Sequence, residues 1–203
     1  MILRRLCEAA TQFGFPPPGY QEGPVKWIVD LDPKGRCLGY VKTAGEEGKK
    51  ADRGKRMPFP FVKRTSGIAA QLLTDKADYA LGFVPPGAEP KEAAKIASRH
   101  EAFMALLQEC LTHTGYPPLK GVIAYLQGPH GNVPDDLTAG DVLTFRVDGV
   151  LLTESAEMQR YWAGRQQADQ AEAQKATCLV CGQMGSIASP HPIPIKRVPG
   201  GQS

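Results

Sequence analysis

The sequence predicts an α+β fold in which antiparallel sheets and hairpins pack against several helices, with a long basic loop. Three observations carry that expectation. Apolar residues alternate with polar ones on either side of two turn signals, Asp32-Pro33-Lys34-Gly35 and Asp148-Gly149. Apolar residues recur at helical spacing from Lys91 to His113 and again near both ends of the chain. The chain also holds 22 Gly and 18 Pro among 203 residues. That is about a fifth, above the roughly 12% of ordinary domains and below the share of low-complexity chains, so a folded protein with many turns is expected.

Taken in order, Leu3, Leu6, Cys7, Ala10 and Phe13 mark an amphipathic helix, which the run Phe15-Pro-Pro-Pro-Gly19 ends. Val25, Trp27, Val29 and Leu31 alternate with Lys26, Ile28 and Asp30, and the turn after them leads to Cys37-Leu-Gly-Tyr-Val41. This reads as a hairpin over Val25 to Val41. Lys42 to Arg56 has no periodic apolar pattern and reads as a loop. Met57-Pro-Phe-Pro-Phe-Val62 reads as an edge strand, because prolines cannot donate to a sheet ladder. Ile96, Phe103, Leu106, Leu107, Cys110 and Leu111 define a helix over Lys91 to His113, stopped by Gly115 and Pro117. A short helix follows over Leu119 to Leu126, then a Gly, Pro, Asn and Asp-rich loop over Gln127 to Ala139. Val142 to Thr153 is a hairpin about Asp148-Gly149, a dipeptide that tolerates the positive φ angles of a type I′ turn. Ser155 to Lys175 is read as a helix with Met158, Tyr161 and Trp162 inward, and periodicity is lost from Ala176 on. Trp27, Phe103, Leu107, Phe145 and Trp162 are the expected core.

Composition excludes several classes. The net charge of +3 is too small for the whole chain to be a polyanion-binding tail. No run approaches the roughly 18 apolar residues that cross a bilayer, so no membrane partner is expected. Met1-Ile-Leu-Arg-Arg-Leu-Cys-Glu lacks the apolar region of a signal peptide, and five cysteines, an odd number, argue against a disulfide framework. A cytoplasmic protein with reduced thiols is expected.

Charge is nevertheless local. The window from Lys42 to Arg64 carries eight basic and three acidic residues, a net of +5, while the rest of the chain carries −2. Glycine-spaced Lys and Arg suit a phosphate backbone, where counterion release needs no fixed geometry; a solvated loop is the plainer reading. Lys63-Arg-Thr-Ser-Gly67 adds two cations and two hydroxyls next to a strand, a set able to bind phosphate or a base edge, or simply to cap a turn. It does not match the phosphate-binding Gly-x-x-x-x-Gly-Lys-Ser/Thr loop. Cys178-Leu-Val-Cys181 has the spacing of half a zinc site, with His191 a possible third ligand and Cys110 or another cysteine a fourth, but two ordinary thiols fit it better. His100-Glu101 lacks the second histidine of a zinc-protease helix, since position 104 is Met, and His100 is expected to anchor its helix against the sheet. No nucleophile, base and acid group together, so no enzyme and no cofactor are expected.

The segments Val62-Lys-Arg-Thr-Ser-Gly-Ile-Ala69, Tyr79-Ala-Leu-Gly82, Arg99-His-Glu-Ala-Phe103, Cys178-Leu-Val180, His191-Pro192 and Gly201-Gln-Ser203 carry a resemblance, with Met1-Ile-Leu and Pro18-Gly19-Tyr20 ahead of Trp27. Together they resemble the N-terminal portion of the large subunit of the type I-C CRISPR Cascade complex. Members of that family continue past the segment resembling Gly200-Gly-Gln-Ser203, so residues 1–175 are expected to form a DNA-engaging domain and 176–203 the start of a longer subunit's remainder. Family members often have Thr at the position of Cys181, against zinc, and Asn at that of Gln71, which keeps an amide.

The resemblance implies a noncatalytic subunit of an RNA-guided surveillance complex. Such a subunit reads the protospacer-adjacent motif on target duplex DNA, aids R-loop formation and recruits the helicase-nuclease, while the guide RNA supplies sequence by pairing. Its partners would be double-stranded target DNA, the guide RNA, the other Cascade subunits and the helicase-nuclease. Lys42, Lys49, Lys50, Arg53, Lys55 and Arg56 would hold backbone phosphates, and Lys63, Arg64, Thr65, Ser66 and Gln71 would approach base edges. The alternative is a module that contacts proteins or the guide-RNA handle without reading target DNA.

Overall fold

The computed structural model describes residues 16, 17, 19–43, 53–62, 64, 67–130, 133–168, 175–178 and 182–186, with Arg5 and Glu8. The chain divides into two compact units, residues 16–163 and residues 1–15 with 164–203. The helix expected over Leu3 to Phe13 lies outside the described residues except for Arg5 and Glu8, which are helical and exposed.

The larger unit is α+β. Its main sheet contains β2 (Trp27–Leu31), β3 (Cys37–Lys42), β5 (Thr74–Lys76), β6 (Val142–Val147) and β7 (Val150–Leu151). The order is β3-β2-β6-β5, with β7 also on β6. The two hairpins form as expected: β2 pairs antiparallel with β3, and β6 with β7 across Asp148 and Gly149, both at positive φ. They are joined side by side by a parallel pairing of β2 with β6, Val29 opposite Phe145, which hairpin signals do not announce. The second arm of the later hairpin is only two residues long, and a 3-10 turn over Leu152–Glu154 takes its place.

The strand expected from Val25 to Leu31 is two strands. β1 (Tyr20–Val25) pairs with β4 (Lys55–Pro60) in a separate ribbon, and the chain passes to the main sheet at Lys26, whose N–H donates to the Val142 carbonyl at 2.8 Å. Lys42, Lys55 and Arg56, expected in a loop, are strand residues, because the ladders of β3 and β4 continue to them. β4 fits an edge strand as its prolines require. Phe61 donates to the Gly19 carbonyl, so in the alternating ladder Pro58 and Pro60 fall at the positions that need no donor toward β1.

Helices cover the face of the main sheet that carries Trp27, Val29, Leu31, Leu143, Phe145 and Val147. The short α1 (Ala77–Ala80) follows β5, and neither was expected. α2 (Pro90–Thr114) starts on proline, whose missing N–H is no loss there, and ends at Gly115 in the left-handed region. It buries Ile96, Phe103, Leu106, Leu107 and Cys110 along one stripe; it packs against α1 and α3 (Pro118–Gln127), and the last four of these residues join the core that the sheet shares. All five residues expected in the core are buried. α4 (Ala156–Ala168) inserts Met158 and Trp162, the indole N–H donating to the Gly19 carbonyl at 3.0 Å. Burial of each such aliphatic or aromatic side chain contributes about 1.5–3 kcal/mol.

α4 is described over Ala156–Ala168, short of the expected Lys175. Lys175–Thr177 instead forms β8, paired with β9 (Met184–Ser186) in the smaller unit. His100 does act as an anchor, but to a helix: its Nδ1 lies 2.9 Å from the Tyr79 carbonyl of α1. Among the described residues no helix is long and apolar enough to cross a membrane.

Candidate nucleic-acid interface

Within the basic window residues 44–52 lie outside the described residues, and Thr43 and Gly54, on either side of them, are fixed by named contacts. Thr43 donates its N–H to the Lys26 carbonyl at 2.9 Å and its hydroxyl to the Val25 carbonyl, and Oγ1 accepts the Lys55 N–H at 2.9 Å. Gly54 is buried at φ +88, and a Cβ there would lie 2.1 Å from the Val25 carbonyl oxygen. Only glycine satisfies both the backbone angle and the contact. Arg53 and Lys55 on either side of it are exposed, and among the described residues neither has a carboxylate partner.

The other expected backbone contacts differ from one another. Arg56 donates to the Glu22 carbonyl at 3.1 Å and lies 3.9 Å from its carboxylate, on the exposed side of the ribbon. Lys42 is engaged with the fold: Nζ pairs with Asp136 at 2.6 Å and sits 5.5 Å over the Trp27 ring. That ammonium holds the Asp136 carboxyl below the usual carboxylate range. Lys49 and Lys50 lie outside the described residues, as do Lys63, Thr65 and Ser66.

Arg64 and Gln71 are turned to the chain itself. Arg64 donates Nε to the Ala69 carbonyl at 2.7 Å, pairs through Nη2 with Asp75, and lays its guanidinium 4.3 Å over the Tyr79 ring. Gln71 donates Nε2 to the Pro60 and Thr74 carbonyls at 3.2 and 3.3 Å and its N–H to Asp75 at 2.9 Å. Asp75 is almost wholly buried, and burial pushes its carboxyl up against the opposing pull of Arg64. Beside it Arg99 pairs with Asp78 at 2.6 Å and reaches the same Tyr79 ring. Between Gln71 and Asp75, Leu73 is fully buried at φ 61, a conformation that costs a bulky residue about 1–3 kcal/mol. Asp75 and Thr43 have no sequence signal of their own, and Tyr79 and Arg99 stand out in the sequence only within segments that carry the family resemblance, with no role attached.

The weak metal candidates do not assemble among the described residues. Cys178 is exposed in the turn between β8 and β9, where its carbonyl accepts the Gly182 N–H at 2.8 Å, and Cys181 and His191 lie outside the described residues. Cys110 is buried in the larger unit's core with its sulfur 3.7 Å from that of Met158, a packing thiol. No group of three or more potential metal ligands occurs among the described residues.

Residues 3–203 match the family described as CRISPR-associated protein (Cas_Csd1). No curated protein matches the chain. The family match spans nearly the whole sequence and agrees with the resemblance carried by the segments around Val62–Ala69 and Arg99–Phe103, so the chain belongs to the CRISPR-associated Cas_Csd1 family, that of the Cascade large subunit.

Proposed function

We propose that this chain is the noncatalytic, DNA-engaging part of a type I-C Cascade large subunit, acting in the cytoplasm. In this reading it binds target duplex DNA, recognises the protospacer-adjacent motif, aids R-loop formation and supports recruitment of the helicase-nuclease. Residues 1–175 carry the DNA engagement. Arg53, Lys55 and Arg56, with Lys42, Lys49 and Lys50, serve the phosphate backbone, and the segment Lys63, Arg64, Thr65, Ser66 and Gln71 serves the motif.

The observation that carries this reading is the concentration of charge in the basic window and the fixing of its described residues. A net charge of +5 lies between Lys42 and Arg64, and the exposed cations Arg53 and Lys55 flank a glycine packed against Val25 and Lys26. Cations on a fixed base neutralise phosphates without reading sequence. The test is a gel-shift series with the assembled complex, on duplexes with and without the motif, over a range of salt. Binding that weakens with salt and favours the motif supports the reading. Equal binding to both duplexes removes motif recognition, and binding to guide RNA alone favours the alternative of a handle-interaction module.

A further inference from the structure

Side chains of the ribbon formed by β1 and β4 alternate between two faces. Gly23, Val25 and Phe59 are buried on one. The other carries Glu22, Pro24, Arg56 and Pro58, with Arg56 opposite Pro24 and Glu22 opposite Pro58 across the ladder. Each charged side chain therefore faces a proline, which holds the backbone at one φ and brings no donor of its own. Glu22 and Arg56 are diagonal neighbours within reach of each other, and their side chains are 53% and 51% exposed.

Arg56 is oriented without being used up. Nη2 donates to the Glu22 carbonyl at 3.1 Å, while Nε stands 3.9 Å from the Glu22 carboxylate, too far for a hydrogen bond. The guanidinium keeps further N–H donors, and the carboxylate accepts no hydrogen bond among the described residues. An exposed pair at this separation contributes little to stability.

A phosphate and a base edge make different demands on such a pair. The Glu22 charge opposes a phosphate, whereas Arg53 and Lys55, exposed and without a carboxylate partner among the described residues, suit one. A base pair in the major groove instead presents acceptors and donors side by side. A G·C pair offers N7 and O6 of guanine as acceptors and the N4 amino group of cytosine as a donor, in a groove that admits a two-stranded ribbon. Arginine matches the first and glutamate the second.

We propose that Arg56 and Glu22 form a base-reading pair on the open face of the β1–β4 ribbon, for a G·C pair presented in the major groove: Arg56 donates to guanine and Glu22 accepts from cytosine. This rests on the reading that the chain recognises a motif on duplex DNA, and it gives Arg56 a base edge in place of a phosphate. Arg53 and Lys55, at the same end of β4, hold the backbone.

The experiment is competition with the assembled complex, between a motif-bearing duplex and duplexes in which each base pair of the motif and its flanks is changed in turn. The chains compared are wild type, Arg56→Lys, Arg56→Gln and Glu22→Gln, all at exposed positions where folding is expected to survive. Wild type should prefer G·C at one position, and all three variants should lose about tenfold of that preference at that position alone, as for one good base contact. Arg56→Lys should leave affinity for a scrambled duplex and its salt dependence unchanged, since lysine keeps the charge and loses the planar fork. A phosphate contact gives another pattern, in which Arg56→Gln weakens binding to every duplex and Arg56→Lys restores it; that result overturns the proposal. Glu22→Gln tightening binding to all duplexes with preference unchanged also overturns it, as does a preference lost only at an A·T position. A wild-type complex with no motif preference refutes the underlying reading and this proposal with it, whereas a discriminating wild type whose variants discriminate equally well refutes this proposal alone.

Discussion

The backbone N–H of Lys55 donates to Oγ1 of Thr43 at 2.9 Å, tying the residue after β3 to the first residue of β4. This one hydroxyl joins described residues on either side of the basic window, because it also donates to the Val25 carbonyl. The position of Lys55 is thereby set by the sheet and ribbon.

Thr43→Val keeps the shape of the side chain and removes its hydrogen bonds, leaving the Lys55 amide without its acceptor. A loss of about 1–2 kcal/mol in stability is expected, read as a lowered midpoint in chemical denaturation, and Thr43→Ser should recover most of it. Gly54→Ala should cost more than Thr43→Val, since its Cβ meets main chain that cannot step aside. An Ala variant as stable as wild type contradicts the geometry at Gly54.

The cations of the window are expected to contribute unequally to duplex binding. Replacing Arg53 and Lys55 by Ala should reduce the slope of log affinity against log salt by up to about 0.9 for each lost phosphate contact. Lys42→Ala should change the slope less, because its ammonium is engaged with Asp136 at 2.6 Å. Salt titrations on a scrambled duplex measure both, and a larger effect at Lys42 than at Lys55 counts against the assignment.

Phe103 lies with no exposed surface between α2 and the sheet, its ring centroid 6.3 Å from that of Phe145. Phe103→Ala should destabilise the fold by about 3–5 kcal/mol. Phe103→Leu, which fills most of the space, should cost clearly less in the same denaturation experiment.

Asp141 gives the fold a pH dependence. Burial pushes its carboxyl up, but the Lys26 ammonium at 2.9 Å, the Thr138 N–H and the Trp27 indole outweigh that and hold it below the usual carboxylate range. A carboxyl that is more acidic in the folded than in the unfolded chain contributes stability at neutral pH, which is lost as pH falls through its folded value. Asp141→Asn should therefore be less stable than wild type at pH 7, and the gap should narrow on acidification below the ordinary carboxylate range. Unfolding followed by Trp fluorescence at several pH values tests this; a gap that widens with acid is the contrary result.

What the sequence determined by itself was local. The positive φ that Asp148-Gly149 tolerates, the helical stripe from Ile96 to Cys110 and the alternation of Trp27, Val29 and Leu31 act over a few residues, and each is visible in the order of residues alone. The same holds for the charge of the Lys42 to Arg64 window and for the motifs that carried the family resemblance. The tertiary structure decided what depends on distant partners. β5 and α1 are three and four residues long, too short for any periodicity, and β5 exists because β6 supplies its ladder. The chain breaks at Lys26 because Val142, more than a hundred residues away, takes its N–H. The resemblance implies that Arg64 and Gln71 approach base edges, yet the fold turns the Arg64 guanidinium to Asp75 and the Gln71 side-chain amide to the Pro60 and Thr74 carbonyls, since buried polar groups must find partners in whatever chain surrounds them.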